Sequence, residues 1–320
     1  MTAAQNEFLL IERFFSGTGK SRFPVMLSQG DDAAIVDLPV GKQLVMSVDT
    51  LISGVHFPEQ TSAADIAYKS LAVNLSDLAA MGATPAWFLL SITLPKFDEA
   101  WLSEFSASLK ATSNQHQIEL IGGDTCRGPL SITIQITGLV ERNKYVGRSG
   151  ANVGDLILVT GKLGNAALGL AHLQQRLRLP ADLIQLCVAA LNRPSPRLEL
   201  ADFLTSYASA AIDLSDGLVG DLRHILDQSH KGALLRRDDL PVNDWIRSQQ
   251  GYDFALTGGD DFELCLTVPA KYKGAIDHWN QQNPHCKLTD IGEITGSGYQ
   301  LVNKNKTVDL NHWQGYQHFE

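Results

Sequence analysis

The stretch Leu71-Ala72-Val73-Asn74-Leu75-Ser76-Asp77-Leu78-Ala79-Ala80 sets one carboxylate inside a mostly apolar run. A bare buried charge is very costly, so Asp77 must be paired, hydrogen-bonded or bound to a cation. The spacing predicts a helix from Thr61 or Ser62, either of which can cap it, through Ala63 toward Met81-Gly82. On that helix Asn74 and Asp77 are three residues apart and share a face. Strands are predicted on both sides, Leu44 to Val48 before it and Phe88 to Leu94 after it, the latter closed by Pro95.

Outward from this core the same theme recurs, a carboxylate in a Gly- or Ser-containing turn where an apolar run ends. The segments are Gly30-Asp31-Asp32, Ser47-Val48-Asp49-Thr50, Gly122-Gly123-Asp124, Asp213-Leu214-Ser215-Asp216-Gly217 and Gly258-Gly259-Asp260-Asp261. Two unit charges about 4 Å apart repel by roughly 4 kcal/mol at an effective dielectric near 20. A fold that gathers several carboxylates therefore needs cations, and Mg2+, a hard ion that bridges to phosphates, is the natural match. Arg148, in Gly147-Arg148-Ser149-Gly150, is either a surface charge or a bidentate phosphate clamp. Gly17-Thr18-Gly19-Lys20-Ser21 imitates the end of a P-loop, but Phe14 stands where the first glycine belongs and a helix pattern precedes it.

Further helices are predicted at Glu7 to Phe15 and Trp101 to Ser113, with strands at Ile118 to Ile121 and Ser131 to Val140. A second unit begins near Gly150. It has strands at Asp155 to Thr160, Ala208 to Ile212, Asp261 to Val268 and Lys287 to Glu293. Its helices are Gly164 to Gln175, Gly217 to Gln228 and Lys271 to Gln281, and Asn192 to Pro196 is a rigid connector. The reading is two mixed α/β domains, residues 1–145 and 146–320.

At 320 residues the chain can build two cores, and a formal charge of -9 argues against a nucleic-acid or anionic-membrane surface. The four cysteines form no C-x-x-C pair, which signals neither a zinc knuckle nor a dithiol site and fits a reducing compartment. The start lacks a basic leader and no apolar run approaches membrane length, so a cytoplasmic location is expected.

Taken together, these motifs resemble the thiamine-monophosphate kinase family. The resemblance lies in Gly-Asp-Asp-Ala-Ala at 30–34, Ser-Val-Asp-Thr-Leu-Ile-Ser-Gly-Val-His-Phe at 47–57 and Asn-Leu-Ser-Asp-Leu-Ala-Ala-Met-Gly-Ala-Thr-Pro at 74–85. It continues through Gly-Gly-Asp-Thr at 122–125, Gly-Arg-Ser-Gly-Ala at 147–151, Asp-Leu-Ser-Asp-Gly-Leu at 213–218, Gly-Gly-Asp-Asp-Phe-Glu-Leu at 258–264 and Gly-Tyr-Gln-His-Phe at 315–319. It is collinear over essentially the whole chain.

The resemblance implies the two-domain fold of the aminoimidazole-ribonucleotide synthetase superfamily. The N-terminal domain would form a dimeric β-barrel with its partner's, and ATP with several Mg2+ ions would lie in the cleft between the domains. It implies ATP-dependent phosphorylation of thiamine phosphate to thiamine diphosphate, and leaves a K+ requirement open. Asp32, Ser47, Asp49, Asp77, Asp124, Asp213 and Asp216 match metal-site positions. Gly123, Asp124, Arg148 and Ser215 match nucleotide positions, and His56, Glu263 and Tyr316 match positions near the thiamine phosphate. Val48 departs from the family's usual hydroxyl residue, so a metal contact there would use its carbonyl; Tyr316 stands where ring identity varies. The rivals are a sibling enzyme with another acceptor and a non-catalytic nucleotide- or metal-binding module. Selenophosphate synthetase is disfavoured because no early reactive Cys followed by Lys is present, and the near-complete carboxylate set argues against a mere binder.

Overall fold

The computed structural model describes residues 7–304 and 306–317. The first residues, Met1 to Asn6, and the His318-Phe319 end of the terminal motif lie outside them. The chain divides into two compact units, one running to Leu78 and resuming at Ala83–Lys144, the other made of Ala79–Gly82 and the chain from Tyr145 onward.

The first unit contains α1 (Glu7–Phe15), β1 (Val25–Leu27), β2 (Ile35–Val36), β3 (Lys42–Ile52), α2 (Ala63–Ala80), β4 (Thr84–Leu94), α3 (Glu99–His116), β5 (Glu119–Arg127) and β6 (Ser131–Glu141). Its main sheet has the order β3-β6-β4-β5, antiparallel except for the parallel β4–β5 pair. One face alternates inward with Ile132, Ile134 and Ile136 on β6 and Phe88, Leu90 and Ile92 on β4, all buried. Leu71, Leu75 and Leu78 of α2 and Leu102, Phe105 and Leu109 of α3 are likewise buried. Gly138 of β6 lets α2 come close, since a Cβ there would sit 3.0 Å from Leu78 Cδ1. The helix α2 is buried on nearly every side, which explains an apolar run without a polar stripe. Ser62 receives the Asp65 N–H at 3.1 Å, so of the two predicted caps it is Ser62 whose side chain holds the first turn.

The other sheet face is unusual. Leu44, Met46, Val48 and Ile52 of β3 and Leu89 of β4 are exposed. On β3 the exposed face is therefore the more apolar one, while the face toward α2 carries Ser47 and Asp49 beside Val45 and Leu51.

The second unit contains β7 (Asp155–Thr160), α4 (Asn165–Leu173), α5 (Ala181–Asn192), α6 (Ala201–Tyr207), β8 (Ala210–Asp213), α7 (Leu218–Ser229), β9 (Gly232–Arg236), α8 (Asp244–Gln249) and α9 (Asp253–Leu256). It ends with β10 (Leu264–Pro269), α10 (Lys273–Gln282), β11 (Leu288–Thr295), β12 (Tyr299–Asn303) and β13 (Lys306–Asp309). The sheet runs β13-β12-β9-β11-β7-β10-β8, with β12 and β9 parallel and the other pairs antiparallel. Apolar side chains cover both faces, as two separate clusters around Leu222 and Leu266 show.

Leu75→Ala should destabilise the protein by about 2–5 kcal/mol, because a fully buried side chain leaves a cavity that α2 cannot close. Urea denaturation measures this; a loss below about 1 kcal/mol would mean the helix is not packed as described.

Candidate functional site

On β3, Ser47 and Asp49 point to the same side as buried Leu51, toward α2. Ser47 Oγ donates to Asp77 Oδ2. Asp49 and Asp77 are hydrogen-bonded to each other, and Asp49 is raised from the ordinary 3.8 to about 7. Burial is the main cause, followed by the Asp77 charge and the hydrogen bond to Asp77. Burial and the neighbouring charge together favour the protonated form of Asp49. His56 follows just beyond the end of β3, where its Nδ1 accepts the Ile52 N–H at 3.0 Å. That bond puts the proton of the neutral ring on Nε2. Buried Lys69 of α2 donates to the His56 carbonyl at 3.0 Å and fixes this corner. The Val48 side chain lies on the opposite, exposed face.

A second group lies across the sheet. Asp32, Gly123 and Asp124 line a cavity of about 360 Å³ whose apolar walls include Phe15, Leu90 and Leu120. The sequence reading puts Gly122-Gly123-Asp124 in a turn; instead these residues lie within β5, paired in parallel with Leu89 to Ser91 of β4. Gly123 is required there because its φ is +154° and a Cβ would fall 1.9 Å from the Leu90 carbonyl oxygen. The Ser47 to Thr50 segment is likewise mid-strand, not a turn. Asp124 is exposed and accepts from the Cys126 thiol at 3.0 Å. Asp49, Ile134, Leu90 and Gly123 form one cross-strand row. Three strand spacings separate its ends, roughly 15 Å. The acidic residues of this unit thus fall into two groups, and among the described residues no three His, Cys, Asp or Glu side chains gather to hold one ion.

The second unit brings its motifs together through the backbone. Asp260 and Phe262 donate their N–H groups to Ser215 and Leu214 carbonyls, and Leu214 N–H donates to the Glu263 carbonyl, each at 2.8 Å. Close approach at Gly259 is obligatory, because a Cβ there would lie 2.5 Å from Ser215 O. Asp213 is buried, while Ser215 and Asp216 are half-buried at the turn into α7. Tyr316 reaches the same turn by donating its N–H to Asp216 O at 3.0 Å. Arg148 is exposed, and its charge reaches Asp221.

Two residues here, Asp221 and Arg197, escape the sequence reading, and Asp261 enters it only within its motif, with no role assigned. Asp221 of α7 accepts the N–H groups of Asp216 and Gly217 at 3.0 and 3.1 Å, so it shapes the Asp213–Gly217 turn from beneath. Burial and then the Asp216 charge raise it to about 7, against the two N–H bonds and Arg148. Asp261 accepts from the Gly164 N–H at 2.7 Å at the start of α4. Arg197 forks onto Glu263 with Nε and Nη2 at 2.7 and 2.5 Å, and Thr160 Oγ1 also donates to Glu263 at 2.5 Å. Glu263 is 8% exposed, so its carboxylate is pinned in a buried ion pair. A signal for Asp221 exists in hindsight, a second Asp in the first turn after Gly217. None exists for Arg197, which lies 66 residues from its partner.

The Asp49–Asp77 pair predicts a pH effect of definite sign. The folded protein keeps a proton that the unfolded chain releases near the ordinary carboxyl value, so this contribution to stability is lost as pH rises from about 4 through about 7. Thermal midpoints of metal-free protein should therefore fall across that window, and Asp77→Asn should flatten the fall. Parallel curves for both proteins would contradict the pairing.

The chain matches the models of the AIR synthase related protein N-terminal domain over residues 30–140 and C-terminal domain over residues 152–303. It is 45% identical to thiamine-monophosphate kinase of Escherichia coli and 42% identical to that of Haemophilus influenzae, covering 99% of each chain in both cases. Among solved structures, thiamine-monophosphate kinase of Stenotrophomonas maltophilia superposes with a TM-score of 0.81 at 44% identity, covering 88% of this chain and 92% of that one. AaThiL complexed with AMPPCP and TMP gives a TM-score of 0.76 at 27% identity, covering 98% and 95%. This chain belongs to the thiamine-monophosphate kinase family, with the two AIR-synthase-related domains of that fold.

Proposed function

We propose that this protein transfers the γ-phosphoryl group of ATP to thiamine phosphate, giving thiamine diphosphate and ADP, the last step in making that cofactor. The observation that carries the reading is the hydrogen-bonded Ser47–Asp49–Asp77 cluster, in a chain collinear with the kinases over its whole length. A family relative held with AMPPCP and TMP supports the substrate pair.

The acceptor is already an anionic phosphate, so one of its oxygens attacks the γ-phosphorus while the bond to the ADP oxygen breaks. No enzyme nucleophile or general base is required. The obstacle is bringing two polyanions together. Mg2+, held by the acidic residues assigned below, would supply the positive charge that offsets this repulsion. The residue chemistry fits it, because the neighbouring Asp49 and Asp77 carboxyls offer hard oxygen donors once the proton favoured on Asp49 leaves. Asp32, Ser47, Asp49, Asp77, Asp124, Asp213 and Asp216 are assigned to the metals, with Val48 contributing through its carbonyl if at all. Gly123, Asp124, Arg148 and Ser215 are assigned to ATP. His56, Glu263 and Tyr316 are assigned to the acceptor. The ion pair with Arg197 gives Glu263 a fixed orienting role.

The exposed apolar row Leu44, Met46, Val48 and Ile52 supports a homodimer that covers it with a second copy. Buried thiols at Cys187, Cys265 and Cys286 suit a reducing, cytoplasmic setting. Among the described residues no helix is long and apolar enough to cross a membrane.

With purified protein, Mg2+ and ATP, chromatography should find thiamine diphosphate from thiamine phosphate and none after EDTA. ATP turnover without that product would point to another acceptor, and nucleotide binding without turnover to a non-catalytic module. Asp124→Asn should lower turnover by roughly 10² or more, as loss of charge-stabilising groups does; normal turnover at saturating Mg2+ would remove Asp124 from the site. Val48→Glu should shift the protein to monomer in sedimentation, and an unchanged mass would place the dimer contact elsewhere.

A further inference from the structure

We propose that Arg223 is a positioning residue for acceptor binding: it ties the end of the chain to α7 so that Tyr316 is held beside the Asp216 turn. This rests on the kinase reading above, in which Tyr316 meets the thiamine phosphate. Arg223 is half-buried, with its guanidinium carbon 5.3 Å from the centroid of the Tyr299 ring. That ring is itself fixed, because Tyr299 is buried and its hydroxyl donates to the Val219 carbonyl at 3.2 Å. From this seat one guanidinium nitrogen donates to two carbonyls of the terminal segment, Leu310 at 2.8 Å and Trp313 at 3.2 Å. The two carbonyls bracket a turn that Trp313 N–H closes onto Leu310 O at 3.0 Å.

Immediately afterward the segment touches α7 and its leading turn again. A Cβ on Gly315 would lie 2.5 Å from Asp216 O, and one on Gly220 would lie 3.1 Å from Gly315 Cα. Gly315 has no room for a side chain, and one on Gly220 fits only if Gly315 shifts by a few tenths of an ångström. The next residue, Tyr316, donates its N–H to Asp216 O at 3.0 Å. Arg223, Gly220 and Asp216 thus hold consecutive parts of one segment, and Arg223 is the side chain that sets its path. A lysine would keep the charge but lose the planar donor edge that serves a ring and two carbonyls at once.

Steady-state kinetics on the full chain tests this. Arg223→Gln should raise the KM for thiamine phosphate about fivefold or more while kcat and the KM for ATP stay within about twofold, and Arg223→Lys should recover only part of the loss. In a Tyr316→Ala background the same substitution should have no further effect, because its influence passes through Tyr316. An undiminished effect in that background, a matching change in the ATP KM, or a normal KM for Arg223→Gln while Tyr316→Ala raises it, would overturn the proposal and leave the kinase reading intact. An unchanged KM in Tyr316→Ala would instead remove Tyr316 from the acceptor site, and the proposal with it. Should Arg223→Gln fail to fold, Gly315→Ala, whose Cβ would lie 2.5 Å from Asp216 O and so must move the segment while leaving Arg223 in place, must show the same acceptor-only signature; a normal acceptor KM there would also overturn the proposal.

Discussion

The first unit is organised around two neighbouring carboxyls, of which Asp49 is pushed toward its protonated form by burial and by the charge of Asp77. Asp77 cannot turn away, because Leu71, Leu75 and Leu78 bury the rest of α2 and fix its rotation. Asp49 cannot turn away either, because β3 is paired with β6 along all of its length from Lys42 to Ile52. Packing energy from the core therefore maintains an electrostatically unfavourable contact, relieved in the metal-free chain by a proton and by the Ser47 hydroxyl. In the proposed function such a pair is preorganised for a cation, since the cost of bringing the two carboxyls together is met in folding. That cation is Mg2+ in the same reading.

The second unit solves a related problem with backbone groups. Its acidic turns at 213–217 and 258–263 are joined by three main-chain hydrogen bonds, with glycine where the chains touch. Asp260 and Phe262 take positive φ values of 70° and 46°, a conformation that non-glycine residues adopt only when their surroundings fix it. Asp221 and Arg197 supply those surroundings, one through two N–H groups and the other through the Glu263 ion pair. Acidic side chains are thereby aimed by neighbours that need not touch substrate.

Much of this was legible in the sequence, for physical reasons that differ by element. The apolar run around Asp77 made a buried partner obligatory, and the structure supplies Asp49. Helix α1 runs over Glu7–Phe15 and strand β7 over Asp155–Thr160, as their spacing predicts. The P-loop look-alike is a turn after a helix, where a Cβ on Gly19 would meet Ile118 O at 2.0 Å. Glycine misled the reading at 122–124, where it marks close strand contact, not a turn. The predicted strand from Asp261 begins only at Leu264, because the positive-φ residues before it are incompatible with an extended ladder. Helix α5 and the short strands β9, β12 and β13 went unassigned, the strands because a few residues stabilised by distant partners carry little local pattern. Arg197 and Arg223 act on segments far along the chain, a relation no local spacing encodes.

The most direct test of the metal account is proton release on Mg2+ binding, measured near pH 6 by titration calorimetry in buffers of different ionisation enthalpy. The account predicts that Mg2+ displaces the proton favoured on Asp49, so the observed heat varies with the buffer in the native protein and varies less in Asp77→Asn, where burial alone raises Asp49. Tight Mg2+ binding with the same buffer dependence in both proteins would contradict it, and would place the cation at other carboxylates.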